Sequence, residues 1–380
     1  MNWIKNIIEF TRIPKRKRLQ KRDEAPAIPR SIAYSLQFPG AAQQVSGQNI
    51  SLQTFEQMLR DPLIRSAVTI KKYGALAVPW RIVPAPENGG ASEDARKRAD
   101  FVEYAFAEMQ GSITGVLLDA MDAIAKGYAI LEKIFVEDTR KYPGKIRFEA
   151  IRPKDPSLFG FEVDEFLNIK GLTLHVPGES VRSLPVEKFV IFVYQQRYGF
   201  PSGESDLIPA HKHWAIKREL LKQWSSHLDK FASPTVLGKF KRGLPESAQT
   251  QLLDALEKLA RQSAVVYPDD IEVSLLEGGR EARSGYLEAI DYHNREMARA
   301  ILGQTLVTED SRRIGSLALG KVHLQVLIMQ LAGLRRELAE RVVNEQLIRP
   351  LIDLNFGAGS YPMFEFVEPE LDVFRTGKVV

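Results

Sequence analysis

Two long helical patterns bracket a compact stretch of different character, and this constrains the fold more than any other feature of the chain. Leu207 to Phe231 reads as one helix of 25 residues, about 37 Å long at 1.5 Å per residue. Along it Lys212, Lys217, Arg218, Lys222 and Lys230 alternate with Trp214, Ile216, Leu220, Leu221, Trp224 and Leu228. A second helix runs from about Glu281 to Ile301. Between them lie a strand (Val236–Phe240), a helix (Pro245–Arg261) and two strands (Ala264–Tyr267 and Ile271–Leu275) around the turn Pro268-Asp269-Asp270. The chain therefore carries an αβ module inserted into a helix pair.

Upstream, Ser51–Leu59 reads as a helix start. Asp61-Pro62 then supplies an N-cap with proline at the first helical position, and Leu63, Ala67, Ile70 and Lys71 continue that helix. Ala77–Val83 reads as a strand, Ala91–Met109 and Thr114–Gly127 as helices, and Tyr128–Val136, Lys145–Ala150, Leu172–Val176 and Phe189–Tyr194 as strands. Downstream, Gly303–Gly315 breaks the helical pattern. A long helix from Leu317 to about Gln346 follows, with an apolar stripe at 324, 327, 328, 331, 334, 338 and 342, and Tyr361–Val367 reads as a strand. The expected class is α+β.

Charge divides the chain. Residues 1–22 carry Lys5, Arg12, Lys15, Arg16, Lys17, Arg18, Lys21 and Arg22 against Glu9, a net +7. The rest holds 44 basic and 47 acidic residues, a net of −3, so a pI near 9.0 reports a short basic arm on a slightly acidic body. A dedicated DNA-binding domain would be basic throughout. The arm fits contact with nucleic acid, an acidic partner or a membrane surface, and equally a solvated tail. Cysteine is absent, which removes disulfides, thiolate zinc sites and thiol nucleophiles. No run of about 18 apolar residues and no signal-peptide pattern is present, so a soluble chain that is not exported is expected.

The search for chemistry yields little. Gly315-Ser-Leu-Ala-Leu-Gly-Lys321 has the spacing of a phosphate-binding loop, but Val322 stands where Ser or Thr must hold Mg²⁺. Leu317, Ala318 and Leu319 read as helix. His211 and His213 lie two apart, on different faces of a helix, with no third ligand fixed nearby. Asp119 and Asp122 read as a solvated helix face. No enzyme, cofactor or metal is indicated.

At Leu59-Arg-Asp-Pro-Leu-Ile-Arg-Ser-Ala-Val68 and Ala77-Val-Pro-Trp-Arg-Ile-Val-Pro84 the chain resembles the portal proteins of Mu-like bacteriophages. The resemblance continues through Gly127-Tyr-Ala-Ile-Leu-Glu132, Ile151-Arg-Pro153 and Tyr198-Gly-Phe-Pro-Ser-Gly203. It is most specific at Ala300–Leu306, Gly315–His323 and Asn344–Gly357.

This resemblance implies a portal fold: a mixed α/β wing, a two-helix stem, an inserted αβ clip, a tunnel loop and a long wing helix, with the crown reduced or absent. Its divisions would be a basic N-terminal arm (1–49), the wing (50–205), stem helix 1 (206–232), the clip (233–280), stem helix 2 (281–302), the tunnel loop (303–316), and the long wing helix with a C-terminal strand (317–380). It implies a ring, generally of twelve copies, at one capsid vertex of a virion. The channel would pass double-stranded DNA, and the ring would dock a large terminase ATPase, capsid and scaffold proteins and a head–tail adaptor.

Leu306, Val307, Thr308, Glu309, Asp310, Arg312 and Arg313 would form the loop in the channel. Lys212, Lys217, Lys222 and Lys230 are channel-facing candidates on the stem. Lys15, Arg16, Lys17, Arg18, Lys21 and Arg22 are the contact residues of the arm. Trp214, Trp224, Tyr286 and Tyr292 are candidates for packing between copies. The alternative reading is a non-enzymatic DNA-binding adaptor acting through the arm.

Overall fold

Four polar side chains start four helices of the body, each by accepting a backbone N–H of the first turn. In this computed structural model Ser51 caps α2 (Leu52–Met58), Asp61 caps α3 (Pro62–Ala75), Ser92 caps α4 (Glu93–Ala107) and Ser112 caps α5 (Ile113–Ala120). The structure describes residues 27, 30–39, 50–86, 90–231, 235–239, 272–276, 280–304 and 317–368, and all of 245–254 except 248 and 252.

The stretch expected as one helix over 114–127 is two. The chain turns at Met121 and resumes as α6 (Ala123–Lys126), which ends at Gly127 with φ +85°. Glycine is required there because a Cβ would stand 2.2 Å from the Ser202 carbonyl oxygen.

Strands β2 (Tyr128–Glu137), β3 (Ile146–Lys154) and β7 (Phe189–Val193) form an antiparallel sheet in the order β3–β2–β7. Leu131 lies opposite Pro153 on one side and Val190 on the other. This sheet is buried on both faces. Ala129, Leu131, Val190 and Phe192 enter the main core with Phe55, Phe101, Leu117 and Phe148. Their alternates Tyr128, Ile130, Phe189, Ile191 and Val193 enter a second core. A continuous apolar run thus serves two cores, one per face.

Closing the second core are β4 (Phe159–Val163), β5 (Ile169–Leu174) and β6 (Arg182–Pro185), an antiparallel sheet in that order, and α1 (Arg30–Ser35). The sequence reading did not separate β4 or β6, and it assigned residues 30–39 to the arm. Ala33 and Leu36 are buried against Phe161 and Leu172, and the Gln37 carbonyl accepts from Thr173 Oγ1, so this segment belongs to the folded body.

Stem helices α7 (Leu207–Phe231) and α8 (Arg280–Leu302) pack antiparallel, with His213 beside His293 and His227 beside Tyr286. Beyond them β8 (Thr235–Lys239) pairs with β9 (Glu272–Leu276), within one residue of the expected clip strands. The strand expected at 264–267 and the end of the clip helix lie outside the described residues.

The long helix is interrupted. α9 (Leu317–Glu337) passes into a π-helical segment, Leu338–Ile348, and then α10 (Arg349–Phe356). Residues 317–319 are helical, which removes them from any phosphate-wrapping loop. β10 (Met363–Phe366) pairs antiparallel with β1 (Trp80–Val83), setting Ile82 opposite Phe364. Among the described residues no helix is long and apolar enough to cross a membrane, and no three His, Asp or Glu side chains gather as a metal site.

Candidate functional site

One buried ammonium joins both stem helices to the body. Lys71, on α3, places Nζ 2.6 Å from Asp206 Oδ2, 2.8 Å from the Tyr194 hydroxyl and 3.2 Å from the Ile301 carbonyl. Asp206 immediately precedes α7 and Ile301 lies in the last turn of α8, so one side chain ties both stem helices to the wing. Gln195 Nε2 donates to Tyr194 Oη at 3.0 Å and to Asp206 Oδ1 at 3.1 Å. Burial disfavours the ammonium, but Asp206 and Tyr194 outweigh it and hold the Lys71 pKa above the ordinary lysine value.

Backbone contacts seat the start of the stem equally closely. Ser205 Oγ donates to the Ala125 carbonyl at 2.6 Å and accepts from Leu207 N–H at 3.0 Å, and Asp206 N–H donates to the Ile124 carbonyl. Gly203, φ +58°, passes so close that a Cβ would stand 2.2 Å from the Tyr194 oxygen and 2.3 Å from the Gly127 oxygen. Gly127, which opens one segment that resembles the portal family, and Gly203, which ends another, therefore allow one close backbone crossing.

The four stem lysines do not share a face. At 100° per residue Lys212, Lys222 and Lys230 fall within about 80° of one another, whereas Lys217 lies about 140° from each of them. Lys217 is 8% exposed and donates to Asp61 Oδ2 at 2.7 Å, so it faces the wing and leaves the channel-facing set. The same carboxylate caps α3 through Oδ1. Lys212 and Lys222 are exposed, and Lys222 lies 3.6 Å from Glu219. The Lys230 side chain, the arm residues Lys15, Arg16, Lys17, Arg18, Lys21 and Arg22, and the loop residues Leu306, Val307, Thr308, Glu309, Asp310, Arg312 and Arg313 lie outside the described residues.

The stem aromatics also divide. Trp214 is 6% exposed in the main core with Arg218 over its ring, so it packs within its own chain. Tyr292 is 54% exposed, while Trp224 and Tyr286 are half-buried. Leu221 and Leu228 continue the buried face of Ala210, Trp214 and Lys217 past the wing, where they are exposed. His211 stands beside Trp214 and His213 beside His293, which separates the two histidines.

The sequence reading missed the polar spine of the C-terminal helix. Three amides each bond both backbone groups of one strand residue: Asn344 with Phe364 (2.7 and 3.1 Å), Gln346 with Ile191 (2.8 and 2.9 Å) and Asn355 with Ile146 (2.7 and 2.7 Å). Lys133, 2% exposed on β2, donates to the Gln346 carbonyl at 3.0 Å. Pro350, four residues on, has no N–H to give this carbonyl an α-helical partner, and the lysine adds a side-chain donor to it. Burial lowers the Lys133 pKa to about 8. The signal was present as amides in a helix of buried apolar residues, with Pro350 four residues after Gln346.

Among curated relatives, the chain is 25% identical over 311 residues to a protein named "Portal protein" of Escherichia phage Mu, covering 79% of this chain and 56% of the relative. It is 24% identical over 329 residues to "Mu-like prophage FluMu protein gp29" of Haemophilus influenzae, covering 84% and 61%. The chain thus spans little more than half the length of these relatives.

Among solved structures, a chain from the neck of an empty GTA particle superimposes with a TM-score of 0.58 at 12% identity, covering 84% of this chain and 85% of the other. One from the virion of a native gene transfer agent particle gives 0.58 at 12% identity, covering 88% of each. These likenesses concern the fold. The wing, helix pair and inserted hairpin built above fall within residues 52–376, which match the family described as "Portal protein of Mu bacteriophage", and it is to this family that the chain belongs.

Proposed function

We propose that copies of this chain close into a ring at one vertex of a phage-type capsid, as a head–tail connector whose axial channel conducts double-stranded DNA. The family match across 52–376 carries this reading. Cyclic assembly beyond two copies joins unlike surfaces, and the uncovered Leu221 and Leu228 on α7 with Leu287 on α8 supply apolar area for a neighbour.

Lys212, Lys222 and Lys230 line the channel side. DNA presents one charge per about 1.7 Å of axis, so a dense basic wall would hold it fast. Three lysines on a 25-residue helix, one of them beside Glu219, make contacts weak enough for a moving duplex to exchange. The loop from Leu306 to Arg313 carries Glu309 and Asp310 against Arg312 and Arg313 and would extend the same weak lining. The clip is the docking point for the terminase ATPase and then a head–tail adaptor, and the basic arm meets scaffold, capsid or DNA during assembly.

Negative-stain imaging of the purified chain, alone and in procapsids, tests the reading. Rings with a central opening wide enough for a duplex are expected, twelve copies being the expected number. Particles without such an opening would refute it.

A further inference from the structure

His213 on α7 and His293 on α8 face each other across the stem with their Nδ1 atoms 2.9 Å apart. Their ring centroids are 5.2 Å apart, about as far as that contact allows, so the two nitrogens meet head-on. A bound metal ion would need both lone pairs to converge on a point beside that line. Head-on approach is instead the geometry of an N–H···N hydrogen bond, in which one ring carries the proton and the other must be without it.

We propose that His213 and His293 form a proton-operated latch between the stem helices, closed while the pair holds one proton on the facing nitrogens and open when it holds two. When both rings are imidazolium, neither facing nitrogen can accept, and two cations stand against each other in a half-buried contact.

The surrounding groups bias the latch toward the closed form. Burial lowers the basicity of His293, His213 and Lys212 add to that effect, and Glu296 opposes it. Tyr292 packs against both rings and is exposed. From α3, Asp61 is committed to Lys217 and Lys71 to Asp206. The unfolded chain takes up a proton at this site more readily than the folded one, so the contact weakens as pH falls below about 6.5.

The chain has no cysteine, so Ser225→Cys and Glu288→Cys place spin labels at unique sites on α7 and α8 of the full chain. The label separation is expected to widen reversibly between pH 7.5 and 5. Adding His213→Gln with His293→Gln, an uncharged pair, should abolish the shift, while His227→Gln, on the same helix pair, should retain it. A fixed separation in the starting protein, an undiminished shift in the double variant, or loss of the shift with His227→Gln would each overturn the proposal. Far-UV circular dichroism at pH 7.5 identifies any variant that does not fold. In that case the more conservative single change His293→Asn takes its place, with the same expected loss.

Discussion

Gln346 occupies the outer edge of β7 as a further strand would, its carboxamide accepting from Ile191 N–H and donating to the Ile191 carbonyl. β7 is one edge of the three-stranded sheet, and β3, whose Ile146 is held by Asn355, is the other. One helical spine therefore covers both edges, and through Asn344 it also reaches β10. Gln346→Leu removes both partners of Ile191 at little change in volume. An orphaned buried polar group costs about 1–3 kcal/mol. Urea unfolding should show a stability loss of about 2 kcal/mol or more, and an unchanged midpoint would contradict this role.

Lys71→Met should be more damaging, because it strands Asp206 in the core. Breaking one side of a buried ion pair costs roughly 3–5 kcal/mol, whereas replacing both partners with apolar residues is often close to neutral. Lys71→Met with Asp206→Leu should recover most of the loss. A double variant as unstable as the single one would show that Tyr194 and Ile301, rather than the ion pair, carry the junction.

Lys133 sets a pH dependence of the same sign as acid denaturation of carboxylates, but in the alkaline range. Its pKa is about 8 when folded and 10.5 in the open chain, so between those values the unfolded state binds more protons and stability rises with pH. The shift corresponds to roughly 3 kcal/mol, all of it a penalty at neutral pH. Lys133→Met should flatten the stability profile between pH 8 and 10.5. Its effect at pH 7 should be small, because the Gln346 carbonyl then loses its donor.

The stem lysines should separate by experiment as they do by position. Lys212→Gln, Lys222→Gln and Lys230→Gln together should weaken DNA binding and reduce the slope of log K against log salt by up to about 0.9 per lysine that meets a phosphate. Lys217→Met should leave that slope unchanged and lower the melting temperature, since it strands Asp61. Equal effects on binding would refute the division.

Tyr198 is 88% exposed with φ +52°, a left-handed conformation that costs a side chain about 1–2 kcal/mol. Tyr198→Gly should raise the stability of the isolated chain by about 1 kcal/mol in thermal unfolding.

Local chemistry made much of this legible in sequence. Asp61-Pro62 announced α3, and the 3.6-residue pattern placed α7 and α8 to within a residue or two. What escaped depended on partners remote in the chain. β4 packs against α1, and β6 is a short, mostly exposed edge strand on β5, and neither follows a periodicity visible in a linear reading. The π segment is invisible because its apolar stripe continues through 338 and 342 as an α-helix would have it.

Within the candidate site, the 140° offset of Lys217 was present in the spacing from the start. Only the Asp61 contact, 156 residues away, shows what it signified. The Lys71 cluster gave no sequence signal, since an ammonium at an apolar helix position has no pattern until Asp206 and Tyr194 arrive beside it.

Because one ammonium bonds Tyr194 at the end of β7, the beginning of one stem helix and the end of the other, the two helices share a footing on the wing, beside the separate Lys217–Asp61 pair on α7. A pull transmitted along α7 or α8 reaches the sheets through this shared footing together with the Ser205 and Asp206 contacts and the Lys217–Asp61 pair. The wing would then register a tilt of either stem helix as a displacement of both.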